Sequence, residues 1–181
     1  MKQIFLCALG CALLLSCNNP KPAEETTTPA VAAEAKSQAT EFADSKYADI
    51  GKRDLAALSS GDIDKWMEDF ADNAMFRWSS GDSLSGKAAI SAYWKKRRTE
   101  IIDSISYAND IWLPVKVNEP QQIMQSKGVW LLGWYQVNAK YKTGKRMTQW
   151  IHTDYHFDAN DKIDQMIQYI DRAPINAATA K

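Results

Sequence analysis

The sequence predicts an α+β domain, and three observations carry that reading. Apolar residues recur at helical spacing through the first part of the segment 41–172. They alternate with period two through its second part. All seven tryptophans and all seven tyrosines fall inside it. Helices segregated from antiparallel strands define the class. About 130 residues suffice for one core that buries roughly two-thirds of the unfolded surface.

Tyr47, Ile50, Leu55 and Leu58 predict a helix over 41–59, with one buried stripe. Ser60 and Gly61 stop it. Asp62 is placed to cap a second helix, in which Ile63, Trp66, Met67 and Phe70 stand at i, i+3, i+4 and i+7. Residues 74–78 predict a short strand, 79–82 a turn, and Leu84 the start of another strand. A third helix runs from Lys87 to about Asp103, with Ile90, Tyr93, Trp94, Arg97 and Ile101 on one side. Its run Lys95-Lys96-Arg97-Arg98 has two readings, a solvated face or a positive rim that draws an anionic ligand or a lipid surface.

Period-two alternation then predicts four strands over 105–117, 129–141, 146–157 and 163–171. Residues 142–145 form a hairpin turn and 158–161 another. Pro114 and Gly133 mark bends or bulges. Residues 173–181 read as a flexible tail.

The chain begins with a different kind of segment. Lys2 supplies one positive charge, an apolar run of about a dozen residues follows, and Leu14-Leu15-Ser16-Cys17 closes it. The run is shorter than the ~20 residues of a membrane span. It resembles a bacterial lipoprotein signal, in which residues 1–16 are removed and Cys17 carries lipid. Export and anchoring in the cell envelope follow as expectations. Asn18 in place of aspartate favours the outer membrane. Residues 17–40 then form a lipidated cysteine and a tether with three prolines and no aromatic residue, a composition too polar to order itself.

Cys7 and Cys11 leave with the signal, so the domain has no thiol. The 22 basic and 22 acidic residues cancel, and a dedicated nucleic-acid binder would show a basic excess. No phosphate loop or nucleophile–histidine motif is present. His152, Asp154 and His156 alternate on one strand, but residues two apart sit ~7 Å apart at Cα. No metal and no cofactor are expected.

Three stretches carry a resemblance over the whole domain. They are Ser60-Gly61-Asp62 leading to Phe70-Ala71-Asp72-Asn73-Ala74-Met75-Phe76, Ser85-Gly86-Lys87-Ala88-Ala89-Ile90, and Phe157 through Lys162-Ile163 to Tyr169-Ile170-Asp171. In this order they resemble the nuclear transport factor 2 (NTF2)-like superfamily, especially its SnoaL-like branch. Asp161 stands where the last motif has glycine. The resemblance implies a cone of three N-terminal-half helices packed on a strongly bent, mostly antiparallel sheet, with a pocket at its mouth. It also implies frequent homodimers. The superfamily spans isomerases, cyclases, hydrolases and non-catalytic binding domains, so fold alone does not select a function.

Trp150, His152, Asp154 and His156 share one face of their strand. A carboxylate beside an imidazole is the arrangement that acid–base catalysis needs, which makes His152 and Asp154 the catalytic candidates. Parity opposes them. The odd-numbered set is the more apolar and should face the helices on the concave side. Its polar and tyrosine members then line the pocket: Tyr107, Asn109, Tyr135, Gln149, Thr153, Tyr155, Gln165, Tyr169 and Asp171. Trp112, Trp130, Trp134 and Trp150 would lie on the convex face and form a homodimer contact. The leading expectation is a lipid-anchored domain that binds a small, partly apolar molecule. The alternatives are an acid–base enzyme using His152 and Asp154, and a non-catalytic dimeric module.

Overall fold

The computed structural model describes residues 38–121 and 126–180. The signal segment, Cys17 and the tether through residue 37 lie outside the described residues. The element order is β1 (Thr40–Phe42), α1 (Lys46–Ser60), α2 (Ile63–Met67), β2 (Phe70–Trp78), β3 (Ser83–Ser85), α3 (Lys87–Lys96), a π-helical turn (Arg97–Ile101), β4 (Ile102–Val117), β5 (Gly128–Tyr141), β6 (Arg146–Phe157), β7 (Ile163–Tyr169) and α4 (Arg172–Thr179). The seven strands form one bent sheet in the order β1-β4-β5-β6-β7-β2-β3. Every neighbouring pair is antiparallel except β2 and β7. Among the described residues no helix is long and apolar enough to cross a membrane.

The helices end where their chemistry ends. Gly61 takes a left-handed conformation (φ 83°) after α1 and donates to Leu58, while the Asp62 N–H donates to Ala57. This pair of back-bonds satisfies the last carbonyls of a helix. Asp62 then caps α2 by accepting from the Lys65 N–H. Tyr47, Leu55 and Leu58 of α1 are buried, and Trp66 packs edge-on against Phe70 and Trp94 at 4.9 and 5.6 Å. The turn at Asp161, where the resembling motif has glycine, also has a physical reason. Its backbone is left-handed (φ 59°), and its carboxylate accepts from the Tyr47 hydroxyl and the Lys46 ammonium.

Several boundaries differ from the sequence reading. The fold begins before Glu41: Gln38 and Ala39 carbonyls accept from Asn118 and Glu119, and Thr40 opens β1. Of residues 173–181, expected as a flexible tail, 173–179 instead continue α4 to Thr179, and residue 181 lies outside the described residues. Ala178 is buried there, and its carbonyl accepts from the Thr143 hydroxyl.

Beyond a register shift between Ile102 and Ser104 at the start of β4, two bulges set which side chains face the helices. On β4, Ala108 pairs with Gln136, but the next partners are Ile111 and Trp134. One extra residue is inserted, with Asn109 at φ 56°. A bulge of this kind inverts the facing of everything beyond it. Ile105 and Tyr107 therefore face inward, whereas Ile111, Leu113 and Val115 face outward. Trp112 turns into the concave side against Tyr135 and Tyr155. This corrects its expected place on the convex face. On β7 a second extra residue lies between Ile163, opposite Phe157, and Gln165, opposite His156. Met166 and Gln168 face inward as a result, and Gln165, Ile167 and Tyr169 face outward.

Candidate functional site

The inward faces of β4 to β7 and the helices enclose a cavity of about 390 Å³. Tyr93 and Trp94 of α3 and Trp78 of β2 form its aromatic wall. Ile102 and Ile105 of β4, Val137 and Ala139 of β5, Met147 and Ile151 of β6, and Ile170 make it apolar. Ile175 of α4 closes over it at the rim. Polar atoms enter from Arg97, Tyr107, Tyr141, Gln149 and Gln168. The rim pair Arg172–Asp82 is an ion bridge of 2.7 Å, with the guanidinium over the Trp78 ring.

Among the described residues Arg97 has no such carboxylate. Its guanidinium lies 5.6 and 5.9 Å from the rings of Tyr93 and Trp94, and its Nη1 donates to the Tyr93 hydroxyl over a long 3.5 Å. Burial raises the Tyr141 hydroxyl above its ordinary pKa, opposed by the charge of Arg97. Burial raises Tyr107 further, opposed by Arg98. Tyr107 lines the cavity, and its phenol is held neutral. Tyr107 and Tyr141 thus present neutral hydroxyls.

A buried polar group lies beneath the cavity. The Tyr135 and Thr153 hydroxyls are 2.8 Å apart and fully buried. Gln168, which lines the cavity, and Tyr155 both act on Tyr135. Asp54 of α1 stands next to them, 1 % exposed. Neither of its oxygens has a partner of hydrogen-bonding geometry, nor do Trp66 Nε1 and the Tyr155 hydroxyl. The indole of Trp66 is near enough to favour the Asp54 anion, but weakly. Burial, reinforced by the charge of Asp69, holds its carboxyl well above the usual range and favours the neutral acid.

His152 and Asp154 are on the opposite, convex face. The His152 ring stacks between Trp134 and Tyr169 at 4.5 and 5.3 Å. Its Nδ1 bonds the Gly133 carbonyl at 3.0 Å. Its Nε2 lies 2.8 Å from Asp154 Oδ1, an ion-pair distance without hydrogen-bond alignment. Desolvation raises Asp154 above the usual carboxylate range, partly offset by His152. His156 pairs with Asp164 rather than Asp154, and its other nitrogen meets the Lys127 carbonyl.

Of the expected pocket residues, Tyr107 and Gln149 line the cavity. Tyr135, Thr153 and Tyr155 lie on the correct face but below it, buried. Four others do not reach it, among them Gln165, which faces outward opposite His156. Asn109 sits on the β4 bulge and bonds Gln136 on the outer face. Tyr169 faces outward beside His152. Asp171 is exposed and caps α4 through the Ala173 N–H. The two bulges account for Asn109 and Tyr169, because one added residue reverses facing. Gln168 and Asp54 were not read from sequence as site residues. Asp54 did carry a signal, a charged residue on the stripe of Tyr47, Gly51, Leu55 and Leu58. Among the described residues no three of His, Cys, Asp and Glu converge to hold a metal.

No protein-family model and no curated protein matches the sequence. Solved structures do match in shape. An isomerase candidate from Bacillus subtilis is 17% identical, with a TM-score of 0.57 over 74% of this chain and 91% of its own. A polyketide cyclase candidate from Pseudomonas putida KT2440 is 14% identical, with a TM-score of 0.58 over 72% and 96%. An NTF2-like protein of unknown function from Burkholderia pseudomallei K96243 is 13% identical, with a TM-score of 0.59 over 76% and 100%. The chain has the α+β cone of the NTF2-like proteins, with its helices on a bent, mostly antiparallel sheet.

Proposed function

We propose that this domain binds a small, partly apolar molecule in its cavity. One observation carries the reading: the cavity is open, aromatic-walled and free of any histidine or unpaired carboxylate. A volume of about 390 Å³ falls within the range of small-molecule sites, which are mostly apolar with a few placed polar groups. The solved neighbours include isomerase and cyclase candidates. A comparable reaction here would need an acid or base in contact with the bound molecule. The lining offers tyrosine hydroxyls, glutamines and arginine, with its one carboxylate tied to Arg172. Acid–base chemistry by His152 and Asp154 would need a substrate on the outer face, where aromatic rings cover both sides of the imidazole.

A thermal-shift screen against small apolar compounds tests the binding reading, since a ligand that binds only the folded state raises the melting temperature. Ala139→Phe fills the cavity. Stabilising compounds should lose their effect on that variant while its own melt stays cooperative. Compounds that stabilise both forms equally would place binding elsewhere.

The same proposal places the domain in the cell envelope, held by lipid on Cys17 and favouring the outer membrane. It also gives the convex face a partner in a second copy. Ile111, Trp134, His152 and Tyr169 form one row across four strands, flanked by Leu113, Leu132 and Ile167. Ile111 is 56% and Trp150 53% exposed, and a contiguous apolar patch of this kind marks an interaction surface.

A further inference from the structure

We infer that the cavity is built for an amphipathic organic anion, with its apolar body against the aromatic wall and a single carboxylate- or sulfonate-type head on Arg97. This rests on the reading of the cavity as a ligand site and names the class of ligand.

The basic run on the third helix divides into two parts. Lys95 pairs with Asp64 at 2.6 Å and Lys96 stands 3.9 Å from Glu100, both in solvent. Arg97 and Arg98 follow, half-buried, and no carboxylate lies within ion-pair distance of either among the described residues. The change coincides with the π-helical turn at 97–101. A π-turn widens the helix by one residue per turn and so re-aims side chains, and such turns are frequent at functional sites. Arg97 opens this turn, at helical spacing from Tyr93 and Trp94, and lines the cavity beside them.

Charge on the lining decides the sign of the ligand. Asp82 is bonded to Arg172, so that pair cancels. Tyr93, Tyr107 and Tyr141 bring hydroxyls that can donate. Arg97 is left as the one uncompensated charge. Its neighbours are neutral rings, which stabilise a cation weakly compared with a carboxylate. A cationic ligand would meet repulsion, and a neutral one would leave the guanidinium unanswered. One free guanidinium matches one negative charge. A phosphate dianion would call for further cations or a backbone cradle, and the lining provides neither.

Three probes with the same body and different heads test this: 4-phenylbutanoate, 4-phenylbutanamide and 4-phenylbutylamine. Each is titrated by calorimetry or ligand-observed NMR against the full chain carrying Cys17→Ser, which removes the site of lipidation. A hydrogen bond to a charged group is worth roughly tenfold to a hundredfold in affinity. The acid should therefore bind at least about tenfold more tightly than the amide, and the amine most weakly. Arg97→Gln should bring the acid down to the level of the amide while the amide is unchanged. Arg97→Lys should keep most of the preference and guards against a folding defect. Equal binding of acid and amide would overturn the inference and leave the cavity reading intact. So would a preference for the acid that survives Arg97→Gln. Failure of all three probes would count against the cavity as a ligand site, and the inference would fall with it.

Discussion

Gly133 faces Trp112 so closely that a Cβ on the glycine would lie 2.4 Å from the indole Cζ3. The same ring also covers Gly51 of α1, where a Cβ would lie 2.6 Å from it. Trp112 is thus a plate slid between the first helix and the sheet, and both glycines exist at that contact for lack of a side chain. The ring reaches this place only because the Asn109 bulge inverts β4. Gly133→Ala should destabilise the domain by about 1–3 kcal/mol, the usual cost of overpacking. Denaturant melts measure this, and Trp112→Phe in the same chain should recover part of the loss. An unchanged midpoint would mean that the indole is not held at Gly133.

Asp54 gives the domain a pH dependence of defined sign. Its folded-state pKa is raised by burial, so the folded state holds a proton that the unfolded state releases above its ordinary pKa near 3.9. Stability from this group is therefore lost as pH rises from about 4 toward the folded pKa. Asp54→Asn removes the ionisation. The variant should gain stability at pH 8 relative to its difference from the parent at pH 4. Melts at the two pH values check it, and a difference that is constant with pH would exclude a buried neutral acid.

The outer face should hold a second copy. Ile111→Glu introduces a charge into the exposed row beside Trp134 without touching the core. Sedimentation at tens of micromolar should change from dimer to monomer, with an unchanged melt at low concentration. A parent chain that is already monomeric would reject the contact.

Cys17→Ser should leave an unprocessed or soluble form in a bacterial host that makes lipoproteins. Labelling with a fatty-acid probe would disappear with the substitution. Persistent labelling would sink the lipid anchor.

The hydroxyl pair Tyr135–Thr153 is fully buried, and one partner cannot be lost cheaply. Thr153→Val leaves the Tyr135 hydroxyl short of a partner and should cost about 1–3 kcal/mol, read from denaturant melts. The paired change with Tyr135→Phe should cost less than the sum of the single changes.

Much of this protein was legible in its sequence because local rules act over a few residues. Helical spacing located α1 to α3, alternation located β4 to β7, and Asp62 and Gly61 marked helix ends through backbone groups that any helix leaves open. The apolar parity of β5 and β6 correctly put Tyr135, Gln149, Thr153 and Tyr155 on the concave side and His152 with Asp154 on the convex side. Parity failed on β4 and β7, because one inserted residue reverses facing without changing composition. That is why Trp112, Asn109 and Tyr169 exchanged sides. Arg97 was visible on the apolar stripe of its helix, but its lack of a carboxylate depends on which chains meet there. The neutral state of Asp54 depends in the same way on what surrounds it. Sequence determines which residues are near in the chain, whereas pairing, burial and the cavity arise from contacts between strands and helices far apart in it.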